Sequence, residues 1–194
     1  MSKIKEFKSK TEDLNYWLTS KELKKKGIKC GDNCKIHATT IVTHPDKLKL
    51  GNNVRVDAFC LIVSMKGIIL KNFVHVGAYS MLHAGKGKII AHNHSGISAG
   101  TKIFTHQDDY SGEFYYGPGN KIKSGLISDI ILPKFSILGT NSVVVPGAKI
   151  GIGTAVGANC LVAQKLKPWK IYQGFPLRAY FNRKKTFIKK YNLK

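Results

Sequence analysis

The sequence predicts an all-β solenoid: a left-handed parallel β-helix with a protruding loop, an N-terminal helical cap and a C-terminal tail. Three observations predict it. Aliphatic residues recur every six positions, without a gap, at Leu126, Leu132, Leu138, Val144, Ile150, Val156 and Val162. Mostly small residues hold a fixed offset from them, at Ile130, Ser136, Ser142, Ala148, Thr154, Cys160 and Leu166. Glycine is plentiful at 19 residues while proline is scarce at 6, as tight turns require. A period of six fits neither the 3.6 of an amphipathic helix nor the 2 of an alternating strand. Six residues make one short strand and a turn, and three such units close a triangular coil. Coils stack at about 4.8 Å, each aliphatic lying inward over its counterpart 18 residues on.

Taken from the N-terminus, residues 1–27 read as a polar helical cap. Thr19 and Glu22 form a capping box, and Gly27 suits the C-terminal end of that helix. The solenoid is assigned to 28–167. Its frame appears at Cys30 and Ile36, slips, and returns at Leu50, Val56 and Ile62, at Leu70, Val76 and Leu82, and at Ile97 and Ile103. Cys34, Cys60 and Cys160 then occupy small positions and Cys30 an aliphatic one, so the repeat accounts for all four cysteines without disulfide or metal. The frame vanishes between Ile103 and Leu126. Interruptions of this length in a compact repeat are usually functional or disordered, and the loop, 104–125, holds His106, Asp108, Asp109 and Tyr110, which argues against plain disorder. From Pro168 to 194 the hexads give way to an aromatic, basic tail in which a final strand and helix are expected.

The net charge is +21, from 32 basic and 11 acidic residues. Such a field draws anionic partners. Nucleic acid fits poorly, because only Arg55, Arg178 and Arg183 are arginine and no nucleic-acid-binding motif is present. A small anionic ligand fits better, against the plainer alternative of a lysine-rich solvated surface. No apolar stretch reaches membrane-spanning length and the start carries no signal-like apolar region, so the expected location is the cytoplasm.

The hexads, the loop and the closing segment Lys165-Leu-Lys-Pro-Trp-Lys-Ile-Tyr-Gln-Gly-Phe-Pro-Leu-Arg resemble the hexapeptide-repeat acyltransferases over roughly residues 20–185. Leu177 stands where that family usually has alanine. Asn53-Val-Arg-Val-Asp-Ala-Phe-Cys, Val74-His-Val-Gly-Ala-Tyr-Ser, Ser95-Gly-Ile-Ser and Asp108-Asp-Tyr-Ser-Gly-Glu resemble the branch acting on nucleotide-linked 4-amino-4,6-dideoxysugars. The resemblance implies a homotrimer with acetyl-CoA lying in clefts between neighbouring solenoids and the loop covering a neighbour's cleft. It also implies a sugar or nucleotide-sugar acceptor and a role in surface-glycan assembly.

Acetyl transfer needs a positioned acceptor and a group to take its proton. His106, at the root of the loop, is the first candidate, and His75, outward-facing at a sixth position, the second. Asp57, Asp108, Asp109 and Tyr110 are candidates for orienting the base or binding the acceptor. Gly139, Thr140, Gly157, Ala158, Lys165, Arg178 and Arg183 are candidates for the coenzyme, the small residues admitting pantetheine and the basic ones meeting phosphates. Corner N–H groups are candidate oxyanion donors. His83, His92 and His94 read as interface residues; His37 and His44 as structural or exposed. Three alternatives stay open: O-acetylation of a sugar hydroxyl (galactoside or maltose type), a zinc carbonic anhydrase on the same solenoid, and a non-catalytic scaffold. The zinc alternative needs paired histidines at H-x4-H spacing, which no pair here has, and no metal is expected.

Overall fold

The structure is a computed structural model that describes residues 16–108 and 125–193. It is a β-solenoid whose short strands stack into three parallel sheets. The first face runs through Lys35–His37, Arg55–Val56, His75–Val76, Gly96–Ile97, Ile137–Leu138, Ala155–Val156 and Lys170–Gln173. The second holds Ile41–Thr43, Leu61–Val63, Met81–His83, Lys102–Phe104, Val143–Val144 and Leu161–Val162. The third holds Lys29–Cys30, Leu48–Leu50, Ile68–Leu70, Ile89–Ala91 and Ile130–Leu132.

Inward aliphatics form the core. On the first face Ile36, Val56, Val76, Ile97, Leu138 and Val156 stack in one buried column. Each such side chain, taken fully out of water, stabilises the fold by about 1.5–3 kcal/mol. The small residues of the hexads are also buried, at the corners. Their hydroxyls must find partners there, and they bond to backbone oxygens: Ser142 to Gly157 at 2.9 Å, Thr101 to Gly139 at 3.1 Å, Thr154 to Lys167 at 2.9 Å. Cys34 and Cys60 do the same through their thiols, and all four cysteines are unpaired.

Two expectations are corrected. The 18-residue stacking holds only late, where Leu138 pairs with Val156 and Val144 with Val162. Earlier, Ile36 pairs with Val56 and Val56 with Val76, twenty residues on, and Val76 pairs with Ile97, twenty-one on. The reason is local. From third face to first, and from first to second, the inward residues stay six apart, as in Leu70, Val76 and Leu82. From second to third the step is longer: Ile62 to Leu70, Leu82 to Ala91, and Ile103 to Leu132 across the loop. All the variation in coil length sits at that one corner. Leu126 is the second correction. It is exposed, and Leu126–Ile127 forms an antiparallel pair with His106–Gln107 instead of lining the core.

Both ends are closed by other structure. Trp17–Thr19 pairs antiparallel with Lys35–His37. One short helix, Ser20–Lys25, follows, with Glu22 accepting from the Thr19 backbone N–H at 2.8 Å and Leu23 fully buried under the first coil. Gly27 takes a left-handed φ of 84°, ending that helix as a residue without Cβ can. Residues 1–15 of the expected cap lie outside the described residues. At the other end Arg178–Asn182 pairs antiparallel with Lys170–Gln173 and a helix spans Thr186–Lys190.

Candidate active site

The candidates fall into three groups. On the first face the outward side chains stack in register as Lys35, Arg55, His75, Gly96, Ile137, Ala155 and Ile171. The position after each inward residue forms the neighbouring column, with Asp57, Gly77, Ser98, Gly139 and Gly157 bonded coil to coil. These columns bring Asp57 and His75 together. Asp57 Oδ2 lies 2.8 Å from His75 Nε2, and Oδ1 accepts from Arg55 Nε at 2.6 Å. Burial pushes the Asp57 carboxyl up. The hydrogen bonds and charges of His75 and Arg55 outweigh that and hold it below the usual carboxylate range. The His75 side chain is 54% exposed, so its ring reaches solvent while the carboxylate fixes its orientation. Arg55 also lies over the Trp17 ring, 4.9 Å from its centroid.

The second group stands at the variable corner. His106 and His83 lie with ring centroids 5.0 Å apart. Gly85 lies against both, and a Cβ there would come within 2.7 Å of His106 and 2.8 Å of His83. Among the described residues neither Nδ1 has a hydrogen-bond partner, although both are buried. Burial, then His83 and Lys86, hold the His106 imidazole below the usual histidine range, with Asp108 opposing them. His106 and His75 therefore stand at different corners of the chain and are not brought together. Asp109 and Tyr110 lie outside the described residues.

The third group covers the coenzyme candidates. Gly139-Thr140 and Gly157-Ala158 are successive corners, with Thr140 accepting from the Asn159 N–H at 2.8 Å. A Cβ on Gly139 would meet the Gly157 carbonyl carbon at 2.5 Å, so this glycine is required by the next coil. The corner N–H groups of Gly77, Ser98, Gly139 and Gly157 each donate to a carbonyl of the following coil at 2.7–2.9 Å. These four are committed between coils and are not available to an oxyanion. Lys165 and Arg178 are exposed. Arg183 instead clamps the tail to the solenoid, donating through Nη1 to Phe135 O and, at 3.0 Å, to Gly153 O.

Sequence reading missed Arg55, Trp17 and Gly85, whose roles depend on register. It also passed over a plain signal: no Asp or Glu occurs after Asp129, while twelve Lys and Arg do, so the C-terminal end of the solenoid is purely cationic. His37, by contrast, is structural as expected, buried against Trp17 and bonded to Thr39 at 2.8 Å.

The depressed histidines set a pH dependence. Burial first, then nearby lysines, also lower His92 and His94. The unfolded chain therefore binds more protons than the folded one just below the ordinary histidine pKa of about 6.5. Stability should be full above that value and fall as pH drops towards 5. Asp57 acts in the same sense at lower pH. A urea midpoint unchanged between pH 7.5 and 5.5 would contradict this.

No protein-family model matches the chain, and no curated protein matches it in sequence. Solved structures do. AntD, an N-acyltransferase from Bacillus cereus in complex with dTDP and 3-hydroxybutyryl-CoA, superposes with a TM-score of 0.81 at 32% identity, covering 92% of this chain and 95% of that one. An AntD variant in complex with dTDP-4-amino-4,6-dideoxyglucose and coenzyme A gives 0.85 at 31% identity, over 92% and 96%. The acetyltransferase domain of PglB from Neisseria gonorrhoeae, in complex with acetyl coenzyme A, gives 0.55 at 17% identity, over 76% and 57%, a likeness of fold alone.

Proposed function

The chain belongs to the hexapeptide-repeat acyltransferases of left-handed β-helix fold, and from that premise we propose that it carries an acetyl group from coenzyme A to the amino group of a nucleotide-linked 4-amino-4,6-dideoxysugar. One observation carries the reading: end-to-end likeness, at 31% identity, to an N-acyltransferase with such an amino sugar and coenzyme A bound.

The geometry of the first face supports it. Above His75 the outward column is small or apolar, with Gly96, Ile137 and Ala155, a track suited to an extended pantetheine arm. The track ends at the cationic C-terminal end, where Lys165 and Arg178 suit the coenzyme's phosphates. In the reaction the amine nitrogen attacks the thioester carbonyl, the C–N bond forms, the C–S bond breaks and the coenzyme A thiolate leaves. His75, oriented by Asp57, takes the proton released from nitrogen and returns it to the thiolate. His106 is the second choice of base. Burial makes it a weaker proton acceptor than an ordinary histidine.

The reading extends to a homotrimer. Ile41, Phe59, Tyr79 and Met65 leave apolar surface exposed on the single chain, as subunit faces do. It extends also to a cytoplasmic enzyme of glycan assembly, consistent with the unpaired cysteines.

The test is thiol release from acetyl-CoA and, separately, 3-hydroxybutyryl-CoA, with dTDP-4-amino-4,6-dideoxyglucose as acceptor. Turnover of a plain glycoside with none of the amino sugar would move the function to O-acetylation. Failure to bind coenzyme A by calorimetry would leave a non-catalytic scaffold.

A further inference from the structure

The outward column of the first face changes character at His75. On the C-terminal side it is small or apolar. On the N-terminal side it is cationic, with Arg55 and then Lys35 in direct register. Those two residues line a cleft of about 370 Å³ together with Trp17, Asn33, Asn53 and Val54. The cleft is polar by construction. Asn33 and Asn53 sit at left-handed corner positions, φ 54° and 56°, and are bonded side chain to side chain at 2.7 Å. Trp17 supplies an aromatic wall from the antiparallel strand that closes the first coil.

We propose that this cleft is the subsite for the nucleoside diphosphate of the acceptor, with Arg55 and Lys35 meeting the two phosphates and Trp17 forming the wall beside the nucleoside. The assignment rests on the acetyltransferase reading and specifies the acceptor side of it. Arg55 gives only Nε to Asp57, so the guanidinium Nη groups are directed away from that bond and serve a phosphate. Among the described residues Asp57 is the carboxylate ion-paired with Arg55, and none is paired with Lys35, so Lys35 is the uncompensated cation of the two. The two substrates would then approach His75 along one face from opposite ends: pantetheine over Gly96 and Ala155, the nucleotide over Arg55 and Lys35. The sugar amine and the thioester meet where the column changes character.

The experiment titrates the full-length protein with dTDP, inorganic pyrophosphate and, separately, coenzyme A, following tryptophan fluorescence and calorimetric heat. Wild type is expected to bind dTDP, with pyrophosphate competing and the signal lost in Trp17→Phe but kept in Trp169→Phe. Lys35→Gln is expected to weaken dTDP about tenfold and raise KM for the nucleotide sugar by a similar factor, while coenzyme A affinity holds. Arg55→Lys should retain more dTDP affinity than Arg55→Gln. Equal dTDP affinity in Lys35→Gln and wild type would overturn the subsite. A wild-type enzyme that acylates nucleotide sugars without response to Lys35 or Trp17 changes would overturn it as well. Absence of any turnover of nucleotide sugars would instead overturn the function on which it rests.

Discussion

Replacing His75 by alanine should lower kcat for acyl transfer to the amino sugar by about 10²–10⁴-fold, the usual worth of a positioned proton acceptor. The ring is exposed and at the surface of the solenoid, so the substitution leaves no cavity and folding should be unaffected. Asp57→Asn should follow in the same direction with a smaller loss. The amide keeps the shape but removes the charge that faces both His75 and Arg55. The comparison that decides the assignment is His106→Ala assayed beside them. If His106→Ala abolishes turnover while His75→Ala stays within about threefold of wild type, the proton acceptor belongs to the root of the loop.

Gly139→Ala should destabilise the late coils by about 1–3 kcal/mol through overpacking. The added methyl would lie 2.5–2.7 Å from three backbone atoms of Gly157 and Ala158. Backbone atoms of a hydrogen-bonded coil cannot rotate aside as a side-chain tip can. Relief therefore requires prying apart the coils joined by the Gly139 N–H to Val156 O bond. For a chain of this size, each kcal/mol lowers the melting temperature by about 2–4 °C. If the glycine served only to admit pantetheine, KM for acetyl-CoA would rise with the melting temperature unchanged. A thermal scan without ligand separates the two roles.

The repeat was legible because burial writes itself into composition. Leu138, Val144, Val156 and Val162 are aliphatic since each faces only other interior side chains. Ser142, Cys160 and Thr154 are small since a corner has room for no more, and polar where a carbonyl stands within reach. Leu126 misled because its number fits the frame by coincidence; the chain there is still returning from the loop. The pairing of Asp57 with His75 was the harder matter. The two are 18 residues apart, which uniform coils would place in direct register. The real register sets Arg55 beside His75 and leaves Asp57 on the diagonal, where its carboxylate reaches both. A spacing rule learned from the late coils could not foresee residues added at a single corner earlier on. Gly85 carried no signal at all in one dimension, because its constraint comes from two imidazoles that meet only after folding.

Adding residues at one corner alone has an architectural consequence. Between the second and third faces the step runs from four residues in the last coil and six in the one before it to eight, nine or many more in the earlier ones, while the other two turns hold the same step in every coil. The first face is therefore mechanically insulated from that corner. A segment can be lengthened, exchanged or removed there, and the wall bearing His75 keeps its spacing, as a bookcase keeps its back when a shelf is deepened at the front. The large excursion between Ile103 and Leu132 is then the extreme of a liberty that the smaller turns at His44–Lys47 and Ala84–Lys88 already take. Grafting foreign loops at those smaller turns is the way to alter what stands at the rim while leaving the wall intact.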